Sequence, residues 1–252
     1  MLPIYVGFTS YGKRLLLAHK GISSLMKPNQ SEEPELFIIT VYKDDLKYFV
    51  ANETLMKWKE EGRLRLVIAP TNLKNNLKYY YAMQAYSDKP FITVDEDASY
   101  SSNFLESLYK AYTEHPEYVC SIRNVRAHFE KPIMQWIWYK QDSDRGENPS
   151  FETISEGIGG VIYPPNFCRY IIEWYPHIMK NTALQKNDDL VLHWIKYKNG
   201  IKTYRVKQTS HNDLQYIKYI ENAERPSWLD NYKGKGVAQE AVDILQSIIK
   251  IE

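Results

Sequence analysis

Asp95 and Asp97 stand two positions apart at the end of the run Phe91-Ile92-Thr93-Val94, with Glu96 between them. Four apolar or β-branched residues read as a strand buried on both faces, and the acids stand where that strand emerges. In open α/β sheets that edge is where ligands bind. Alternation along an extended segment sends Asp95 and Asp97 to one side and Glu96 to the other. Adjacent carboxylates repel one another unless a cation sits among them, and an oxygen-only donor set suits the hard ions Mg²⁺ and Mn²⁺. The same residues also read as a solvated acidic turn before the next helix. Their position after a buried strand, mid-chain, leaves the two readings even.

A second acidic pair, Asp188-Asp189, follows Asn187 and opens a stripe of Leu190, Val191, Trp194 and Ile195. One acid can cap a helix and complement its dipole, and two exceed that need. A carboxylate projecting from a helix start toward an acceptor can serve as general base for a hydroxyl. Gly157, Gly159 and Gly160 precede Val161-Ile162-Tyr163-Pro164-Pro165. Their small size allows a ligand close to the main chain, although a tight turn uses the same residues. This is not a dinucleotide fingerprint, because the glycines run into a strand and not from a strand into a helix.

The elements that must position these groups alternate. Strands are expected over 4–8, 37–41, 64–69 and 91–94, and helices over 15–22, 44–61 and 72–86, with Gly62 closing the second helix. Asn103 with Glu106 resembles a capping box ahead of a helix that ends near Pro116, and 118–122 reads as a fifth strand. Regular periodicity fades over 126–151, where Trp136, Trp138 and Tyr139 precede a polar run, 141–150, that reads as a mobile loop. A helix over 190–198 ends at Asn199-Gly200, and a last helix begins near Val237. Alternation of this kind predicts a mostly parallel, twisted sheet with helices on both faces, joined by right-handed crossovers.

The 252 residues suit a single α/β domain, with a hydrophobic fraction of 44% and a charged fraction of 25% that rule out disordered and fibrous classes. A formal net charge of +1 argues against a nucleic-acid binder held by counterion release. The 21 tyrosines offer flat faces with hydroxyl tips, suited to sugars and nucleobases and equally to a core. Cys120 and Cys168 lack metal or disulfide spacing. No apolar run approaches a membrane span and the start lacks a signal-peptide pattern, so a cytoplasmic protein is expected.

The ordered set of Thr9, Ser10, Tyr11 and Arg14 after the first strand, Leu73-Lys74 with Lys78, Val94-Asp95-Glu96-Asp97 with Tyr100, Gly-x-Gly-Gly-Val-x-Tyr-Pro-Pro and Asp188-Asp189 before a Trp-containing helix spans roughly residues 4–200. It resembles bacterial glycosyltransferases related to family 2, of the capsule and lipopolysaccharide type. The resemblance implies a GT-A fold, a Rossmann-like nucleotide-diphospho-sugar transferase architecture. It would be divided into a nucleotide-sugar half over about 1–123, an acceptor half over about 124–210 and a C-terminal extension over 211–252.

It further implies transfer of a sugar from a nucleotide-sugar donor, a UDP-sugar favoured, to a saccharide or lipid-linked saccharide, with inversion. Mn²⁺ or Mg²⁺ would sit on Asp95 and Asp97, and His211 stands where many such enzymes place a C-terminal metal ligand, although its surroundings favour reading it as a surface histidine. Thr9, Ser10, Tyr11, Arg14, Lys78, Glu96, Gly159 and Gly160 would complete the donor site. Asp189 would be the base, with Asp188 beside it as the alternative. Trp136, Trp138 and Tyr139 would stack on an acceptor sugar or pack in the core. No nucleic-acid partner and no membrane-spanning segment are expected, and peripheral membrane contact is left open. The competing readings are a nucleotidyltransferase acting on sugar phosphates, which would normally open with a glycine-rich phosphate loop where this chain has only Gly12, and an inactive nucleotide- or sugar-binding module.

Overall fold

The computed structural model describes residues 1–130, 133–137, 147–181 and 184–206, together with 243, 244 and 247. Chain order gives β1 (Leu2–Thr9), α1 (Ala18–Ile22), β2 (Pro34–Tyr42), α2 (Leu46–Val50), α3 (Glu53–Glu60), β3 (Leu64–Ala69), α4 (Tyr80–Ala85), β4 (Phe91–Thr93), α5 (Phe104–Glu114) and β5 (Val119–Ser121). The hairpin strands β6 (Asn124–Glu130) and β7 (Ile133–Ile137) follow, then β8 (Thr153–Ser155), β9 (Val161–Tyr163), α6 (Pro165–Ile178), α7 (Asp188–Lys198) and β10 (Thr203–Arg205).

Seven strands form one sheet in the order β10-β5-β9-β4-β1-β2-β3. The pairs β1–β2, β1–β4, β2–β3 and β10–β5 are parallel, whereas β9 runs antiparallel to both β4 and β5. Strands from both halves of the chain therefore share one hydrogen-bonded sheet, and the α/β expectation of a mostly parallel sheet flanked by helices holds. Alternation along the strands builds a core on each face. Ile4, Val6, Phe8 and Ile39 pack with residues of α1, α2, α3 and α5. Tyr5, Ile38 and Phe91 pack with residues of α4, α6 and α7. A second sheet, β7-β6-β8, lies beyond β5 in sequence.

Several elements differ from the sequence expectation, each for a local reason. The helix expected over 44–61 is broken, because the Asn52 side chain accepts the Leu55 N–H at 3.1 Å and restarts the helix as an N-cap. The helix expected over 72–86 is a 3-10 turn, Lys74–Lys78, followed by α4. There the Asn76 amide donates to Leu73 O at 3.0 Å and to Gln185 O at 2.7 Å, which ties the turn to the segment before α7.

The capping box at Asn103 does not form; Asn103 makes no side-chain cap bond, and Glu106 accepts from Ser31 Oγ at 2.8 Å instead. The weakly periodic stretch over 126–151 contains the β6–β7 hairpin. Trp138, Tyr139 and residues 141–146 lie outside the described residues, as do His211 and all but three residues of the last expected helix. The described end of the polar run is tied down, with Asn148 Nδ2 donating to Arg205 O at 3.0 Å and Arg205 N donating back to Asn148 Oδ1 at 2.8 Å. No helix among the described residues is long and apolar enough to cross a membrane.

Candidate active site

The site residues gather at one edge of the sheet because of the strand directions. β1 and β4 are parallel neighbours, so Thr9-Ser10 and Val94-Asp95 leave at the same edge. β9 is antiparallel to β4, so its start, preceded by Gly157–Gly160, meets that edge from the other direction. From β1 the chain goes to β2 on one side, whereas from β4 it goes to β5 on the other. The carboxyl ends of β1 and β4 thus flank a topological switch point, where an open α/β sheet leaves a crevice.

The acidic segment after β4 is turned and not extended, which changes the expected sidedness. Asp95 faces Lys78, whose Nζ lies 3.0 Å from Asp95 Oδ1 and 3.4 Å from Asp188 Oδ2. Glu96 and Asp97 converge instead on Arg14, whose Nη2 lies 3.0 Å from Glu96 Oε1 and 2.8 Å from Asp97 Oδ2. Ser10 Oγ donates to Glu96 Oε1 at 2.9 Å, so the buried glutamate anchors the loop to the end of β1. Tyr100 braces the same loop, its hydroxyl accepting from Asp95 N at 2.8 Å and donating to Asp95 O at 3.1 Å. Gly21 of α1 makes this approach possible, since a Cβ there would come within 2.1 Å of the Glu96 carbonyl oxygen.

Asp188 and Asp189 occupy the first turn of α7, one buried and one half-buried. Asp189 Oδ1 accepts the Gly157 N–H at 2.9 Å. Lys78 therefore sits between the loop after β4 and the start of α7, joining the two acidic pairs that the sequence shows as separate motifs. Its position at the buried end of a 3-10 turn, held by Asn76, is what brings the ammonium there.

The titration behaviour follows the surroundings. Burial alone would lower the Lys78 ammonium, but Asp95, Asp188 and Asp189 outweigh it and hold its pKa well above the usual value. Burial raises the Asp189 carboxyl well above the usual range, helped by the neighbouring Asp188 charge and opposed by Lys78. Burial pushes Glu96 up to about 7, against the pull of Arg14.

The remaining expected residues fall as follows. Thr9 Oγ1 donates to Thr40 O at 2.7 Å, so its hydroxyl is engaged with β2. Tyr11 is exposed, with the Arg14 guanidinium 5.1 Å from its ring centroid. Gly159 and Gly160 abut protein: a Cβ at either would come within 2.1 Å of an atom of Arg123 or Phe104 respectively, and Gly160 has φ of 82°. Gly157 is the glycine of the three that faces the acids. Trp136 belongs to β7.

The fit of a divalent ion can be judged from the donor set. Among the described residues no group of three or more His, Cys, Asp or Glu side chains forms a protein-only metal cage. Five carboxylates, Asp95, Glu96, Asp97, Asp188 and Asp189, nevertheless face the two cations Lys78 and Arg14. The side chains of Asp95 and Asp97 keep 27% and 17% of their accessible surface. Asp95 and Asp97 pair with different cations, so an ion held by their oxygens would have to take most of its ligands from substrate phosphates and water, as Mg²⁺ commonly does.

No family model matches the chain, and no curated protein matches it. A solved structure of 4-diphosphocytidyl-2C-methyl-D-erythritol synthase from Anaerococcus prevotii is similar at a TM-score of 0.49 and 14% identity, covering 84% of this chain and 92% of that one.

Proposed function

We propose that the chain is a glycosyltransferase, moving a sugar from a nucleoside-diphosphate donor to an acceptor hydroxyl with inversion. The observation that carries this reading is the pairing of two acidic centres across Lys78, one after β4 and one at the start of α7, with Asp189 held by Gly157. Glycosyl transfer needs both: cationic compensation for a leaving diphosphate, and a base for an incoming hydroxyl.

In this reading the bond from the anomeric carbon to the diphosphate oxygen breaks as the bond to the acceptor oxygen forms, and the hydroxyl proton passes to a carboxylate oxygen of Asp189. Burial raises the Asp189 carboxyl above the usual carboxylate range, which makes its ionised form a stronger proton acceptor. Asp188, beside it and paired with Lys78, orients the acceptor and is the alternative base. Arg14 and Lys78 supply positive charge on the diphosphate side, while Ser10 and Glu96 hold the loop that carries Asp95 and Asp97. Tyr11 offers an exposed ring for the nucleobase.

Asp95 and Asp97 would hold Mn²⁺ or Mg²⁺, which when bound neutralises charge on the departing diphosphate. His211 remains a proposed further ligand outside the described residues. A UDP-sugar donor, a saccharide or lipid-linked acceptor, surface-polysaccharide synthesis and a cytoplasmic setting complete the proposal, with one GT-A-like domain over 1–252.

The second reading, nucleotidyl transfer to a sugar phosphate, is the one nearer to the solved structure's name, since a diphosphocytidyl product is what such transfer makes. Chemistry in the site weighs the other way. A phosphate nucleophile is already anionic and needs no base, which would leave Asp189 without a role. A thermal-shift screen of nucleotide sugars, nucleoside triphosphates and sugar phosphates with Mn²⁺ separates the readings. Stabilisation by a nucleotide sugar is the expected result; stabilisation confined to a triphosphate overturns the proposal.

A further inference from the structure

We propose that Gly157 is a positioning residue for Asp189, acting through its backbone N–H and through its lack of a side chain. The inference rests on the reading of Asp189 as the base and names what aims it. Asp189 Oδ1 takes the Gly157 N–H at 2.9 Å, which commits one carboxylate oxygen and leaves the other to receive a proton. A Cβ built on Gly157 would stand 2.8 Å from Lys78 Nζ and 3.2 Å from Asp189 Oδ1. Lys78 cannot yield freely, because its ammonium is held by Asp95 at 3.0 Å and Asp188 at 3.4 Å in a site that leaves 7% of its side chain accessible.

Gly157 thus lies against both the acceptor-side carboxylate and the cation that joins the two acidic pairs. The 3-10 turn over Gly157–Gly159 fixes that N–H, and Glu156 N donating to Arg123 O at 2.9 Å ties the turn to the start of β6. Gly157 is not among the glycines at positive φ, so alanine can adopt its backbone. The close atoms in its way belong to side chains. Gly157→Ala should therefore fold, with the Lys78 ammonium and the Asp189 carboxylate as the groups it displaces.

The test is a double-mutant cycle, read as release of nucleoside diphosphate from UDP-glucose, UDP-galactose and UDP-N-acetylglucosamine with Mn²⁺ and water as acceptor. Gly157→Ala should lower kcat about tenfold, since small misplacements of a reacting group are costly, with a smaller change in KM for the nucleotide sugar; a loss carried mainly by KM would place the effect on Lys78 and overturn the proposal. In the Asp189→Asn background the same substitution should cost nothing further, because the group it positions is gone. A full penalty in that background, with Asp189→Asn itself strongly impaired, overturns the positioning role alone. An unimpaired Asp189→Asn enzyme overturns the base assignment and the inference with it. Without any substrate, the amide proton of Gly157 should move upfield in Asp189→Ala, and an unmoved resonance contradicts the hydrogen bond on which the proposal stands.

Discussion

At the scale of single residues, charge and burial oppose one another throughout this protein. Lys78 is buried yet strongly charged because carboxylates surround it. Lys196, two turns along α7 from Asp189, is buried with weaker support and is pushed down to about 7. Its Nζ donates to Thr153 O at 3.1 Å and also to the Thr203 hydroxyl, a neutral pairing that an amine satisfies as well as an ammonium.

The pH consequence has a definite sign. The unfolded chain holds the Lys196 proton up to the usual lysine pKa near ~10.4, whereas the folded chain releases it from about 7. Between those values the unfolded state binds more protons, so this residue makes stability rise with pH across that window. Urea midpoints for wild type and Lys196→Met should diverge most at pH 6.5 and converge toward pH 9.5, with the variant relatively more stable at the acid end. Parallel midpoints would contradict the assignment.

Residue types announced the carboxylates and hid their partners. The two acidic pairs were legible as short motifs. Their union through Lys78 was not, since it depends on a 3-10 turn that helix periodicity does not foretell. Nor was the division of labour in Asp95-Glu96-Asp97, where a turn replaces alternation and sends Asp97 with Glu96 to Arg14.

At the scale of elements, the readable features were those with local causes. β3 falls on the expected residues, and β1 and β2 extend beyond the expected runs by a few. The helix α6 went unread because Tyr163-Pro164-Pro165 looks like a strand stopped by proline, although Pro165 at a helix start is well tolerated. Its stripe of Phe167, Cys168, Ile171, Tyr175 and Ile178 is regular and buried.

The passage from the Gly157–Gly159 turn into β9 is the element the site depends on most. Gly160 at φ of 82° makes that corner, with the Phe104 ring 2.1 Å from where its Cβ would stand. Gly160→Ala should cost about 2–4 kcal/mol from left-handed strain and overpacking together. A urea unfolding curve reads this directly, and a loss below ~0.5 kcal/mol, the size of an ordinary surface change, would show that the corner relaxes freely.

At the scale of the whole molecule, strand order decides where chemistry can occur. Alternating strands and helices in the first half made a parallel sheet readable, but the insertion of antiparallel β9 between β4 and β5 is set by pairings distant in sequence. That insertion delivers the glycine turn to the acids, and β9 also leads into α6 and then α7, which returns Asp188 and Asp189 to the same crevice. In the proposed reading, a donor side built from the ends of β1 and β4 and an acceptor side built from the second half of the chain would meet across Lys78.

Glycosyl transfer releases a nucleoside diphosphate, whereas nucleotidyl transfer releases pyrophosphate. ³¹P NMR of the protein with Mn²⁺ should therefore show diphosphate appearing from a nucleotide sugar, lost in Asp189→Asn, and no pyrophosphate from nucleoside triphosphates mixed with sugar 1-phosphates. Pyrophosphate from the second mixture, with the nucleotide sugar left intact in the first, would contradict the account.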